Sequence, residues 1–414
     1  MAGSGDDRDG PRDDVGEDAH QDERGPGPGA DAEAIPSLVE GRHATFLELF
    51  LDLVFVFAVT QVAAVLASDL TWSGVGRGLL VAWLVWWLWS QFTWLGTAID
   101  LDARSLVPYL VLLAVPPALM MAVAIPDAFS GTGRQFAAAY LVANFWSLAI
   151  QGHDAWQRPE ARGPWLRYAS LAAIAPVALF AGSFLDGDAR VVVWTVVALL
   201  DIAGAFAAGS GDESSEWRID ATHFAERHGL FVIISLGEIL VAVGAAATGL
   251  EPTASVGAGL VATVGVACVL WWAYFAYVPG VVEHRLASAV ARERGRVARD
   301  LFTFGHFPVV FGLVLYAVVG KHVIAHPFDV LGAPDRWALA GAVALFVGGL
   351  AGLQWQIVHR WSRERTLTVV VVAGLCFLVG PHVDAVVLVA LVGLVIAAQQ
   401  FHTYRSFVRA TMTA

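Results

Sequence analysis

Charged residues are scarce in this 414-residue chain. Asp, Glu, Lys and Arg make up 15% of it against 57% hydrophobic residues, where a soluble chain carries roughly 25% and 45–50%. Cysteine is nearly absent: Cys268 and Cys376 both lie in apolar segments, so they build no disulfide framework and imply no redox compartment. No HExxH pair, paired CxxC or similarly spaced ligand set marks a metal. No Gly-rich loop cradles a phosphate and no GxSxG elbow presents a nucleophile. Basic residues form no patch beyond short loops, which excludes a nucleic-acid footprint. No metal, cofactor or nucleic-acid partner is therefore expected, and a soluble enzyme or secreted disulfide scaffold is disfavoured.

The charge that does occur is unevenly placed. The formal net charge is −12, and residues 1–40, with twelve acids and three arginines, hold −9 of it. This stretch is rich in Gly, Asp and Pro and nearly free of large apolar residues, so it reads as a disordered acidic tail. It has neither the basic start nor the apolar core of a signal peptide, which leaves the first apolar segment to direct the chain to a membrane.

The remainder is a row of apolar segments about 20 residues long, the length needed to span a hydrocarbon core of ~30 Å. The expected class is all-α, a polytopic integral membrane protein surrounded by lipid. Twelve candidate helices lie near 46–67, 78–97, 106–125, 136–152, 166–185, 190–209, 229–249, 255–278, 302–324, 336–358, 366–381 and 383–400. They divide the connections into two sets. The set containing both termini holds 20 basic residues, and the other holds only Arg77, Arg134, Arg190, Lys321 and Arg336. Because Lys and Arg accumulate on the cytoplasmic side, both termini are expected there. The cluster from Arg285 to Arg299 serves this topology signal and offers a surface to anionic lipid head groups.

The two halves resemble each other. Phe46-x-Glu48 opens the first helix and Phe224-x-Glu226 precedes the seventh; Trp86-Trp87 and Trp271-Trp272 sit in the second and eighth. Pro108 pairs with Pro308, and Leu185-Asp186 with Val383-Asp384. The organisation expected is a tail at 1–40 and six-helix repeats at 41–210 and 211–414. An even number of helices per unit makes such repeats parallel, with a pathway commonly at their interface.

Ionisable groups within spans mark function by default, because each costs at least ~2.5–3.5 kcal/mol at a helix centre. Glu48 and Asp52 are four apart and share a face. Thr45-x-x-Glu48 is also a capping box, so Glu48 has a structural alternative. Asp52 lies about 10 Å into the helix, too deep for a cap; it is either functional or half of a buried pair. Gln61 reads as a packing hydrogen bond between helices. His228, Phe231, Ser235 and Glu238 recur at +3, +7 and +10, one stripe of the seventh helix, with Glu238 roughly 14 Å along it. A carboxyl at that depth is a candidate for cycling a proton, the alternative being a neutral or arginine-paired group that fixes packing. Asp201 in the sixth helix and His306 in the ninth complete the intramembrane candidates, and Glu226 joins them at the cytoplasmic edge. The sixteen tryptophans, five of them between Trp83 and Trp94, read as interfacial belt and interhelical packing.

The segment Arg42-His-Ala-Thr-Phe-Leu-Glu48-Leu-Phe-Leu-Asp52-Leu-Val-Phe-Val-Phe-Ala-Val-Thr-Gln61 resembles the signature of the bacterial low temperature requirement protein A family. So does His223-Phe-Ala-Glu226-Arg-His228-Gly-Leu-Phe-Val-Ile-Ile-Ser-Leu-Gly-Glu238. The likeness spans roughly 40–400 and implies a bacterial plasma-membrane protein linked by name to growth in the cold. A looser likeness ties Phe50-Leu-Asp52-Leu-Val54-Phe55-Val-Phe-Ala58-Val-Thr60 to the FSDGVFAIAIT pattern that opens each six-helix repeat of the lysosomal and bacterial potassium/proton channels. Leu51 and Leu53 stand where that pattern has Ser and Gly. The expected function is a transporter or channel for a small solute or ion, not an enzyme. Glu238 and Asp52 would be its main carboxylates. The alternatives are an intramembrane lipid-modifying enzyme using Glu48, Glu226 and His228, and a membrane stress factor that transports nothing.

Overall fold

A computed structural model describes residues 41–99, 106–208 and 219–412. The tail at 1–40, expected to be disordered, lies outside the described residues. Among those residues every regular element is a helix. The first half contains α1 (Phe46–Ser68), α2 (Trp72–Ala98), α3 (Val107–Leu112), α4 (Val115–Val123), α5 (Gly133–Gln157), α6 (Pro159–Ala172), α7 (Ile174–Gly182) and α8 (Gly187–Ala208). The second contains α9 (Ala221–Thr248), α10 (Ala254–Phe275), α11 (Val278–Ala287), α12 (Ala291–Ala298), α13 (Gly305–Ala325), α14 (Ala333–Val358), α15 (Arg363–Gly374) and α16 (Ala385–Met412).

Hydroxyl and carboxyl side chains set the helix starts. Thr45, Thr71, Thr253 and Ser362 each accept a hydrogen bond from the third amide of the helix that follows, as does Asp220 at α9. Such caps satisfy amides that otherwise lack a partner. The Asp220 cap starts α9 at Ala221, earlier than the apolar pattern at 229–249 indicated, so Glu226, Arg227 and His228 are helical residues.

Ten helices among the described residues are long and apolar enough to cross a membrane. The twelve expected spans differ from this count at two places. Val107–Val123 is short and interrupted before Val115, where Pro116 and Pro117 begin a new helix. Gly133–Gln157 has the length, but Arg134, Asn144, Gln151, His153 and Asp154 make it more polar than a lipid span. Large apolar side chains such as Leu53, Leu171, Val261 and Leu394 stand exposed on the outside of the bundle, where lipid takes the place of water.

Residues 41–414 form one compact unit. In the first half α4 packs on α5, α5 on α7, α7 on α8, and α8 on α2; in the second, α13 packs on α14, α14 on α15, α15 on α16, and α16 on α10. The halves meet where α1 and α9 lie together and α13 packs against both. α13 is buried on nearly every face, as a helix that is apolar all round must be.

A π-helical turn at Arg299–Phe304 precedes α13, and Pro308 sits inside α13. Proline has no N–H to give back up the helix, and a side chain from α2 braces the π turn just before it. Trp86 Nε1 of α2 donates to the Thr303 carbonyl at 2.8 Å. Trp86→Phe is expected to destabilise the protein by about 1–3 kcal/mol, the usual penalty for an orphaned buried acceptor. Denaturant unfolding in detergent would read this.

Candidate functional site

Glu48 and Asp52 project from one face of α1, and His223 and Arg227, also four apart, project from one face of α9. The two pairs meet in the interior. Glu48 accepts from the Thr45 amide at 2.9 Å and from the Thr45 hydroxyl at 3.1 Å, and the Glu48 amide donates back to Thr45 Oγ1 at 3.2 Å. The expected capping box is therefore formed. The same carboxylate lies 3.0 Å from His223 Nε2 through both oxygens, and Arg227 Nε is 3.7 Å from it. Asp52 is gripped by both arms of the Arg227 guanidinium, at 2.6 and 2.8 Å, and accepts from Trp89 Nε1 at 2.9 Å. All four charged or titratable groups are buried, Arg227 completely. A planar fork on a carboxylate is the strongest ion-pair geometry available to a side chain, and full pairing is what makes charge tolerable inside a membrane.

The end of the seam where α1 and α9 begin repeats this exchange. Glu226 of α9 accepts from the Ala44 amide at 2.8 Å and lies 3.2 Å from His43 Nδ1, so it closes the start of α1 from the other half. The Arg42 amide donates to Asp220 at 3.0 Å, and its guanidinium reaches the carbonyls of Gly96 and Ile99 at the end of α2. Thr97 Oγ1 accepts from the Asp220 amide at 3.1 Å. Two sequence segments separated by about 175 residues thus form a single knot of side chains.

Deeper in, His228 donates from Nδ1 to the Phe224 carbonyl at 2.8 Å, which leaves Nε2 as an acceptor with no partner among the described residues. The rings of Trp86, Trp89, Phe224, Phe302 and His306 enclose it. His306 has the same tautomer, donating from Nδ1 to the Leu301 carbonyl at 2.8 Å and accepting from the Tyr274 hydroxyl at 2.8 Å. Beyond this cage lies a cavity of about 20 Å³ lined by Val59, Val62, Trp86, Phe231, Phe307 and Phe311 among others. It has room for roughly one water, but its apolar walls offer that water no hydrogen bond.

Glu238 stands past the cavity. Thr60 of α1 donates to it at 2.5 Å, it is buried, and it makes no ion pair among the described residues. Thr60 is eight residues past Asp52, about 12 Å further along α1, so Asp52 and Glu238 occupy different levels of the same seam. Because contacts occur in the same order along both helices, α1 and α9 run parallel. Ser235 spends its hydroxyl on the Phe231 carbonyl one turn back, at 2.9 Å. Asp201 lies elsewhere, on α8 within the first half.

Of the residues singled out from the sequence, the seam brings together Glu48, Asp52, Glu226, His228, His306, Ser235 and Glu238. Arg227 was missed: read as a cytoplasmic loop charge, it is the buried partner of Asp52. His223, Trp89, Thr60 and Tyr274 were missed as well. The signal that could have found two of them is the matched spacing, Glu48/Asp52 against His223/Arg227, each pair one helical turn apart.

Residues 43–399 match the model of the bacterial low temperature requirement A protein. An uncharacterized protein of Rhizobium meliloti (strain 1021) is 30% identical over 324 residues, covering 75% of this chain and 76% of its own length. No solved structure matches.

Proposed function

The chain belongs to the bacterial low temperature requirement A family, and from that premise we propose that it is a transporter or channel for a small solute or ion, with its path along the seam of α1, α9 and α13. The observation that carries this reading is the contrast between buried carboxylates. Glu48 and Asp52 are held by basic partners in direct contact, whereas Glu238 has the Thr60 hydroxyl and no ion pair among the described residues, the Lys321 charge acting on it only from farther off. An intramembrane carboxylate with no countercharge in direct contact is the group suited to taking up a cation or proton. The dry constriction between Glu238 and the paired cluster is the closed gate of that path. Asp52 then orients α1 against α9 and does not handle the ion itself.

The seam also supports a parallel 6+6 repeat. The neighbour order of the helices is the same in both halves, and Glu48 and Glu226 each engage the first turn of the opposite helix. The basic residues favour a plasma-membrane protein with both termini in the cytoplasm. The reading as a lipid-modifying enzyme would use Glu48, Glu226 and His228. Two of these are committed to helix starts and the third is enclosed by rings, so transport is preferred.

Purified protein in proteoliposomes, with internal pH followed under imposed K⁺ and proton gradients, tests the proposal. Wild type is expected to carry flux well above empty liposomes, and Glu238→Gln, with unchanged thermal stability, to lose at least about tenfold of it. This corresponds to the 1.4 kcal/mol that a factor of ten represents. Equal flux in the two proteins overturns the role of Glu238. A wild type that leaks no more than empty liposomes overturns the ion path.

A further inference from the structure

His228 and His306 stand side by side in the seam, their ring centres 5.3 Å apart, and their surroundings differ in one respect. Each donates from Nδ1 at 2.8 Å to a backbone carbonyl four or five residues earlier, which places the proton on Nδ1 and the lone pair on Nε2. The lone pair of His306 is served by the Tyr274 hydroxyl at 2.8 Å. That of His228, a residue only 1% exposed, has no donor among the described residues. Nor can the rings around it lend one. Trp86 Nε1 is spent on the Thr303 carbonyl, Trp89 Nε1 on Asp52, and the His306 N–H on Leu301. A buried acceptor left unserved is costly, and here no rotation of a neighbour relieves it.

The same surroundings suit the ring once Nε2 carries a proton. The imidazolium keeps its bond to Phe224 and lies among aromatic rings, with centres 4.7 Å away at Phe224 and 5.0 Å away at Trp89 and Phe302. A cation within about 6 Å of such a centre is attracted by the ring. The charged and titratable groups packed around the cage are already paired: Arg227 with Asp52 of α1, His223 with Glu48, and His306 with Tyr274 of α10. Position completes the case. His228 precedes Glu238 by ten residues on α9, about 15 Å along the helix. The cavity of about 20 Å³ lies between them, since Trp86 in its wall packs on the His228 ring at 5.8 Å. Val59 and Val62, in the same wall, flank the Thr60 that donates to Glu238.

On the reading of the seam as an ion path, we propose that the ion it carries is the proton, and that His228 is the proton's station on the far side of the gate from Glu238. An alkali ion gives up its water only where oxygens replace it, and no side chain in the cavity wall has an oxygen. A proton needs only admitted water and a lone pair at each end. When water enters the cavity, the proton leaving the Glu238 carboxyl passes along it to the lone pair of His228 Nε2. Each water between them gains one proton and gives up another, and the reverse step returns the charge.

The full-length protein in liposomes, with a trapped pH dye and an outward K⁺ gradient, provides the test in two arms. In the first, valinomycin sets the potential and the dye reads proton entry through the protein. In the second, a protonophore replaces valinomycin, so the dye responds only if the protein itself conducts K⁺; a Na⁺ gradient repeats this arm. Wild type is expected to respond well above empty liposomes in the first arm and as they do in the second. His228→Phe keeps a ring of similar size without the lone pair, and should lose at least about tenfold of proton entry at unchanged Tm. Val310→Ile, which fills part of the cavity, should slow proton entry several-fold without lowering Tm, and it carries the test alone if His228→Phe does not fold. A response in the second arm leaves the ion path standing and overturns the proton as its ion. Proton entry unchanged in folded His228→Phe, or in Val310→Ile, overturns the route through this gate. No response in either arm overturns the ion path itself, and the proton with it.

Discussion

Arg227→Ala is expected to be the most damaging single substitution in the protein, lowering its stability by about 3–5 kcal/mol, the loss typical when one member of a buried ion pair is removed. Arg227 is fully buried and holds Asp52 through both arms of its guanidinium. Without it, Asp52 keeps only the Trp89 N–H, and Glu48 loses the farther of its two α9 partners and keeps His223. Lysine is a poor substitute, because a point charge on a flexible stem cannot reproduce the fork, so Arg227→Lys should fall between wild type and alanine. The informative comparison is a double-mutant cycle. Asp52→Asn retains an oxygen for Trp89 while removing the charge, and combined with Arg227→Met it replaces the pair with a neutral, packed alternative. Most of the stability lost in Arg227→Ala should return in that double variant, as in other buried pairs exchanged whole, with a large coupling energy between the two sites. Unfolding in mixed micelles reads all four corners. An Arg227→Ala protein within about 1 kcal/mol of wild type would contradict the assignment, since an uncompensated buried carboxylate carries a larger penalty.

The second large effect is expected at Gly312. A Cβ at this position would lie 2.7 Å from the Ala342 carbonyl oxygen and 2.8 Å from the Phe346 amide nitrogen. Both are backbone atoms of α14, so no side chain can swing aside and the helices must separate. Close approach through small residues is the usual way membrane helices gain packing contact, and Gly349 does the same from the α14 side, against Val309. Overpacking of this kind costs about 1–3 kcal/mol for one methyl and more for a branched side chain. Gly312→Ala and Gly312→Val should therefore form a descending series in Tm. Gly341→Ala supplies the control: it lies on the same helix pair, but its Cβ meets nothing within 4 Å. There the higher helix propensity of alanine should leave stability unchanged or raise it by up to about 1 kcal/mol. If both positions behave alike, the close approach of α13 and α14 is not what holds them together. Because α13 also packs against α1 and α9, Gly312→Val should impair flux through the seam as well.

The spans were legible because hydropathy over twenty residues integrates many weak signals, and the capping box at Thr45 because it depends on three consecutive steps of local geometry. Polar residues weaken the same integration, although the helix expected at 136–152 is present as Gly133–Gln157. α5 has its polar face turned inward, so its mean hydropathy understates how well it fits the bundle. The start of α9 was misplaced because Glu226, Arg227 and His228 look like a loop by charge, and only their partners on α1 and α2 make them affordable within a helix. Arg227 illustrates the limit best. A lone arginine near a membrane edge is nearly always a topology signal, and its role as the partner of Asp52 depends on a contact across the whole first half. Glu238 was singled out by its depth, whereas its lack of a direct ion pair among the described residues needed the surrounding helices to be seen.

The knot between α1 and α9 has a consequence for how the protein is made. The partners of Glu48 and Asp52 lie 175 residues downstream, and a ribosome adding about 5–20 residues per second needs roughly 10–35 s to deliver them. During that interval the first helix waits in the membrane with two uncompensated carboxyls, and its amino-terminal turn lacks the glutamate that later closes it. The charges of the first helix are thus balanced only when α9 arrives, and the seam is the place where the two halves become one protein.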